Sequence, residues 1–299
     1  MGLWVDRHWQ MELRGEGIMN NLTLGLLAET FIHSGIGSNE GAIDLPAARE
    51  AATDFPYIPG SSLKGALRDY ATGYWKNTAQ EKNTDHCFGK EGAEKAGCIL
   101  VSDARLLLLP VRSLTGSYKW ATCLLIIERL KRDMERIEAT NNIPNVTEPN
   151  EGEYFGKNEG ILYLEERNFN NQGGLPDNLT ETLGQFIRHD ETRRRLPDQL
   201  IVLNNSDFSW FARYALAIQA RNVLTEDKKS ENLWYEESLP PDTLMYALLL
   251  ERCSESNLND LKELLKEHPY LQTGGNETVG QGWFAIHCIE NGEGGGDEH

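Results

Sequence analysis

Apolar positions along this chain change period several times, and the changes divide it into elements. Leu22, Leu24 and Leu26 alternate with Thr23, Gly25 and Leu27, predicting a strand over 22–28 with one well-buried face. A loop rich in Gly and Pro follows over 30–54. Pro59 and Gly60 then form a turn, Ser61 or Ser62 stands where a helix cap belongs, and Leu63 and Leu67 define an apolar face over 63–74. The span 78–97 is polar and irregular, and 99–107 reads as a buried strand. Leu124, Ile127, Leu130, Met134 and Ile137 make one stripe, predicting a helix over 120–138.

Further on, Asn, Pro and Glu crowd 141–158, which reads as an exposed excursion. Residues 160–169 alternate as a strand, 179–186 is helical, and 199–203 is a short strand. A short helix over 206–213, started by Ser206 or Asp207, turns Phe208, Phe211 and Ala212 inward. Extended segments 215–224 and 232–238 flank a polar tip at 225–231, the pattern of a long β-hairpin. A strand over 243–251, a helix over 257–266 and a strand over 282–289 complete the order. Residues 1–18 read as an extension outside the fold, 19–289 as one domain, and the Gly-rich acidic tail 290–299 as disordered. Strands and helices alternate without the regular rhythm of a parallel sheet, so the predicted class is α+β. There is no internal repeat.

Composition narrows the setting. No apolar run approaches a membrane span, so no membrane partner is expected, and the N-terminus has no secretory pattern. Five cysteines without a CxxC pair read as reduced thiols in a cytoplasm, neither a disulfide framework nor a zinc site. The net charge of −17 argues against non-specific nucleic-acid binding. The basic residues, however, gather near the motifs, among them Arg49, Lys64, Arg68 and Arg221, and local field decides binding in a groove.

The segment Ile58-Pro59-Gly60-Ser61-Ser62-Leu63-Lys64-Gly65-Ala66-Leu67-Arg68 carries the clearest chemistry. Lys64 and Arg68, four residues apart, share the polar face beside the helix start, where unpaired N–H groups and the hydroxyls of Ser61 and Ser62 also converge. Such a place suits phosphate, although an ordinary capped helix with a solvated basic face explains it too. It is not a GxxxxGK[ST] loop, so a nucleoside triphosphate is not implied. Gly274, Gly275, Gly280 and Gly282 would let backbone approach a phosphate or base, and Gln281 and Asn276 add donors.

Asp44, in a glycine-flanked loop, is by itself an ordinary turn residue. A carboxylate there also suits a hard cation such as Mg2+, or activation of a ribose 2′-hydroxyl. His33 is placed either to act as acid or base or to fix the glycine loop. Tyr235, Glu236 and Glu237 are weaker candidates for a supporting acid or base, equally explained as hairpin surface.

The segments Thr30–Gly37, Gly41–Glu50, Ile58–Arg68 and Thr273–Trp283 together resemble the RAMP superfamily of CRISPR-associated proteins. Gly97–Ser113, Trp210–Leu224 and Asn232–Pro241 look like the backbone subunit of type III-B (Cmr) effector complexes, and the resemblance spans about 22–283. It implies a ferredoxin-like (modified RNA-recognition-type) core with a β-hairpin thumb over about 217–237 and a helical and loop insertion over about 141–198. It implies stacking of several copies along a CRISPR guide RNA, with Ser61, Ser62, Lys64, Arg68, Arg49, Arg221 and the glycine loop on the RNA. It further implies cleavage of single-stranded target RNA at Asp44 with Mg2+ or another divalent cation, and assembly with a large polymerase-like subunit, a small helical subunit and capping RAMP subunits. A backbone subunit without cleavage activity, the equivalent type III-A subunit and a stand-alone precursor-processing RAMP endoribonuclease are the alternatives.

Overall fold

The structure, a computed structural model, describes residues 20–289 apart from 36, 38–42, 91–95, 140–142, 158–159, 226 and 254–256. The predicted extension 1–18 and tail 290–299 lie outside the described residues.

Strand β1 (Asn21–Ala28) runs antiparallel between β12 (Leu244–Glu251) and β14 (Trp283–Ile289). It is buried on both faces rather than the predicted one: Thr23 reaches Met134, and Gly25 lies against the segment at Phe186. A Cβ on Gly25 would stand 2.0 Å from the Phe186 carbonyl oxygen, so this close approach requires glycine. On the far side of β14 lies β13 (Tyr270–Gln272). Beyond β12 the sheet continues through β4 (Ala104–Arg112), β5 (Tyr118–Cys123), β9 (Leu200–Leu203), β6 (Glu153–Gly156), β8 (Arg167–Gly173) and β7 (Ile161–Leu164). Two short strands, β2 (Tyr57–Ile58) and β3 (Ile99–Val101), pair with β4 and β12. Pairing is antiparallel except for β5 with β9 and β6 with β8, giving one large mixed sheet. Its far half curls back on itself, because Ser113 bridges Leu164 and the Leu114 amide donates to the Tyr163 carbonyl. The hairpin of β10 (Ala217–Leu224) and β11 (Ser230–Ser238) stands apart as its own two-stranded sheet, as its sequence predicts.

Among the described residues seven α-helices cover this sheet: α1 (Gly60–Trp75), α2 (Asn83–Phe88), α3 (Leu124–Arg136), α4 (Leu179–Gly184), α5 (Asp190–Gln199), α6 (Asn205–Tyr214) and α7 (Leu258–Glu267). None is long and apolar enough to cross a membrane.

Several boundaries move, each for a physical reason. The strand over 99–107 is broken at Ser102-Asp103, where Ser102 Oγ accepts the Leu248 amide and Asp103 Oδ1 accepts the Gly60 amide, 2.7 Å away. The helix over 120–138 starts only at Leu124, because 120–123 pairs with 200–203 deep in the core. The stretch 141–158 is not all exposed excursion: 153–156 joins the sheet, and Ile143 and Tyr154 are buried. The single strand over 160–169 becomes β7 and β8, turned at Glu165 with φ 46°. α2 and α5 lie in polar stretches without a legible stripe. α6 is capped by Asn204, whose Oδ1 accepts the Ser206 amide, while Asp207 is buried against Arg167 at 2.6 Å.

The reduced-thiol reading fails for two of the five cysteines: Cys98 and Cys253 form a disulfide. They are 155 residues apart in sequence, but antiparallel pairing of β3 with the end of β12 brings their Cα atoms to 5.3 Å. Cys87, Cys123 and Cys288 are free.

Candidate active site

The hairpin root gathers most of the singled-out residues. The loop carrying Asp44 runs beside β11: Leu45 N donates to the Tyr235 carbonyl, Glu237 N donates to the Leu45 carbonyl, and Leu45 bridges Glu236 in parallel. Asp44 itself is exposed, and its Oδ2 accepts the Tyr235 amide at 2.8 Å. A short side chain on a loop sewn to a strand gives one carboxylate a fixed position at the surface. The contribution of Tyr235 to this contact is its backbone; its ring is largely exposed.

Glu236 and Glu237 are not hairpin surface but buried, at 2% and 4% exposure. Glu237 Oε1 meets Arg49 Nη2 at 2.8 Å, and its Oε2 accepts the Ala47 amide at 3.1 Å. Glu236 Oε2 pairs with Arg221 Nε at 3.1 Å, and its Oε1 accepts from Asn276 Nδ2. Burial of two carboxylates is tolerable because each faces a guanidinium and further donors. Arg221 Nη2 continues to Gln281 Oε1 at 2.8 Å, and Gln281 Nε2 reaches Gln219 Oε1 at 3.0 Å.

His33 sits in the same network, its ring only 12% exposed. Nδ1 lies 2.8 Å from the Glu237 carbonyl, which can only accept, so Nδ1 carries the hydrogen. The glycine loop closes over this residue: Gly275 N donates to the His33 carbonyl at 3.1 Å, and Gly282 N to the Phe31 carbonyl at 2.9 Å. Gly274 (φ +84°) and Gly282 (φ +91°) are needed for that closure, since a Cβ on either would fall within 2.5 Å of a carbonyl oxygen. A Cβ on Gly275 would make ordinary contact with the His33 ring, whereas one on Gly280 (φ +77°) would meet nothing.

Ser61, Ser62, Lys64 and Arg68 lie elsewhere, on the first turns of α1. Pro59, not a serine, occupies the cap position, and no side chain caps the helix there; Ser61 and Ser62 are exposed within the first turn. One orphan amide, that of Gly60, is taken by Asp103. Burial and the nearby cations Arg252 and Arg68 depress the pKa of Lys64. Arg68 reaches Asp85 at 3.6 Å.

Arg49 joins the hairpin-root group but points inward. Its four Nη hydrogens go to the carbonyls of Asp54 and Ala212 (both 2.7 Å), the Arg213 carbonyl (3.3 Å) and Glu237. Sequence reasoning missed Gln219, Asp103 and Arg252. Gln219 was accessible: in the hairpin register it stands opposite Glu236, two positions from Arg221 and therefore on the same face. Asp103 and Arg252 depend on tertiary packing of β3 and β12, for which their neighbours in sequence give no signal.

Among the described residues no three His, Cys, Asp or Glu side chains gather as metal ligands. With Glu236 and Glu237 committed to arginines, Asp44 is the exposed carboxylate of this group, anchored through the Tyr235 amide.

The chain folds as a helix-covered mixed sheet with a projecting hairpin and a glycine loop closed over His33, and the pattern of the RAMP superfamily matches residues 24–285; the chain belongs to that superfamily. It is 33% identical over 284 residues to the CRISPR system Cmr endoribonuclease Cmr4 of Pyrococcus furiosus, covering 90% of this chain and 95% of that protein. It is 26% identical over 294 residues to the CRISPR system CMR subunit Cmr4 of Saccharolobus solfataricus, covering 88% and 95%. The crystal structure of oligomeric Cmr4 from Pyrococcus furiosus matches with a TM-score of 0.71 at 28% identity, over 92% of this chain and 100% of that one.

Proposed function

We propose that this chain is the repeating backbone subunit of a type III-B CRISPR effector complex, an endoribonuclease that holds guide RNA and cuts the complementary target RNA. One observation carries the reading: 33% identity to a Cmr endoribonuclease extends over nearly the whole length of both chains. Base pairing with the guide supplies sequence specificity, while the protein contacts phosphate and 2′-hydroxyl. Further copies of the chain, the other Cmr-type subunits, guide RNA and target RNA are its partners, and the cytoplasm is its setting. β1, β12, β14 and β4 with α1 and α7 are read as a ferredoxin-like core, β10–β11 as its thumb, and 141–198 as an insertion.

In this mechanism Asp44 faces the scissile linkage and takes the proton of the attacking 2′-hydroxyl. The 2′-oxygen bonds to phosphorus, the bond to the 5′-oxygen breaks, and that oxygen leaves as the alcohol after taking a proton from water. The Tyr235 amide aims that carboxylate. His33 is taken as a positioning group: its Nδ1 hydrogen holds the Glu237 carbonyl and its own carbonyl holds the Gly275 amide. Glu236 and Glu237, held by Arg221 and Arg49, shape the site and exchange no proton. Asp44 would be the protein ligand for a divalent cation, through the oxygen that the Tyr235 amide leaves open. Such an ion would neutralise charge developing on the phosphate. Lys64 and Arg68 hold guide phosphates, aided by the exposed first turn of α1.

The test is Asp44→Asn in the complex assembled on guide RNA. Target affinity should be retained and cleavage in excess Mg2+ should fall about 10²–10⁴-fold. Cleavage at the unmutated rate would place the chemistry elsewhere or leave the chain a purely structural subunit.

A further inference from the structure

We infer that Arg49 is a positioning residue that fastens the Asp44 loop to the root of the hairpin, and so sets where the cleaving carboxylate stands. The inference rests on Asp44 being the cleaving residue.

Three elements meet at this one guanidinium. The chain from Leu45 to Ala47 is held against β11 by the Leu45 and Ala47 amides and the Leu45 carbonyl. Glu237, on β11, is the residue that grips Ala47, and Arg49 Nη2 is its 2.8 Å counter-charge. The remaining Nη hydrogens end on Ala212 and Arg213 at the C-terminal end of α6, and on Asp54. Helix C-termini leave carbonyls unpaired and carry partial negative charge, so a guanidinium fits there by hydrogen bonding and by field. α6 runs almost directly into β10, the first strand of the hairpin. Arg49, itself on the segment that continues from Asp44, therefore touches the end of the helix that launches the hairpin and the strand that returns from it, and through Glu237 it is linked to Ala47.

A planar fork with its donors fixed in direction spans these acceptors; a lysine ammonium, a single point of charge, does not. All four Nη hydrogens already have protein partners and the side chain is 18% exposed, which suits an internal strap better than a phosphate contact.

Arg49→Lys and Glu237→Gln, singly and together, test this in the complete guide-loaded complex. Single-turnover cleavage at saturating target should fall about 10- to 100-fold for Arg49→Lys. Guide affinity, target affinity and their salt dependence should be unchanged, so the loss appears in the rate and not in binding. The double variant should be no slower than the slower single variant, as expected for two groups acting as one unit. Should Arg49→Lys not fold, Glu237→Gln carries the same rate-against-affinity comparison. Wild-type cleavage by the variants that fold, or multiplicative losses in the double variant, would overturn the inference. So would a drop in guide affinity with a shallower salt slope, which marks a phosphate contact. If Asp44→Asn abolishes cleavage while Arg49→Lys cleaves normally, this inference alone falls; if Asp44→Asn cleaves normally, the underlying site reading falls first.

Discussion

At the hairpin root, Arg49 and Arg221 face buried carboxylates at 2.8 and 3.1 Å and hand further hydrogens to neighbouring acceptors. On the first turns of α1, Lys64 lies beside Arg68 and Arg252, partly buried, with its ammonium disfavoured by that burial and by both neighbours. The same residue types thus serve opposite purposes. A cluster of closely paired charges fixes geometry, because moving any member strands another without a partner. On α1 Arg68 has Asp85 at 3.6 Å, and the like charges around Lys64 still leave a local positive field within a chain of net charge −17. The proposed division of labour follows: chemistry where charges are tightly paired and rigid, RNA gripping where like charges crowd and pairing is looser.

The largest expected effect separates the two regions. Asp44→Asn should reduce cleavage of bound target by about 10²–10⁴-fold and leave guide affinity untouched. Lys64→Ala with Arg68→Ala should do the reverse, leaving the single-turnover rate at saturating guide and target near wild type. A cleavage assay paired with filter binding reads both. Equal losses of rate and affinity in both variants would erase the distinction.

A second contrast lies inside the glycine loop. Gly282→Ala places a Cβ 2.4 Å from the Thr273 carbonyl oxygen at φ +91°, whereas Gly280→Ala at φ +77° meets nothing. The first should cost roughly 3 kcal/mol or more, combining left-handed backbone with overlap, and the second about 1–2 kcal/mol from backbone alone. Denaturant melts of the free subunit measure both. Comparable costs would mean that Gly282 is not needed to close the loop on His33. An RNA-affinity loss for Gly280→Ala out of proportion to its stability would mark Gly280 as the point of backbone approach.

What the sequence conveyed differs between these regions for a physical reason. The hairpin of β10–β11 and the stripe of α3 are local patterns, and periodicity exposes them. Asp44, His33 and the glycine loop stood out through their type and motif. Their linkage did not: Glu237 to Arg49 spans 188 residues, and the Asp44 contact to Tyr235 spans 191. Adjacent acidic residues near a hairpin end look the same whether they face water or a buried guanidinium, so Glu236 and Glu237 read equally as a supporting acid or base and as hairpin surface, and proved to be buried. Trp120 misled in the opposite direction, because an apolar run that belongs to a fully buried strand merges with the helix stripe that follows it. The Cys98–Cys253 disulfide was hidden for the reason that strand pairing, not spacing, makes it.

A smaller effect probes the basic face through salt. If Lys64 and Arg68 each neutralise one phosphate of single-stranded guide RNA, removing both should flatten the slope of log affinity against log salt by about 1.4. Titrations across a range of salt concentrations give the slope directly. An unchanged slope would make these residues an ordinary solvated helix face.

The smallest effect is the most specific to this local positive field. A lysine whose pKa is lowered by folding carries its penalty wherever it is charged in both states, so the cost is present at neutral pH. It is relieved as pH rises from the depressed pKa towards the ordinary value of 10.5, where the folded chain releases its proton first. Lys64→Met should therefore raise the Tm of the free subunit slightly at neutral pH, by about 1 °C or less given the solvent screening of this partly exposed group. The same substitution should weaken guide binding, and the gain in Tm over wild type should shrink as pH is raised into that window. Differential scanning of both proteins across the alkaline range reads the difference while cancelling titrations they share. A variant less stable than wild type at neutral pH would show Lys64 to be held by favourable contacts, and the basic face of α1 would then be as satisfied as the hairpin root.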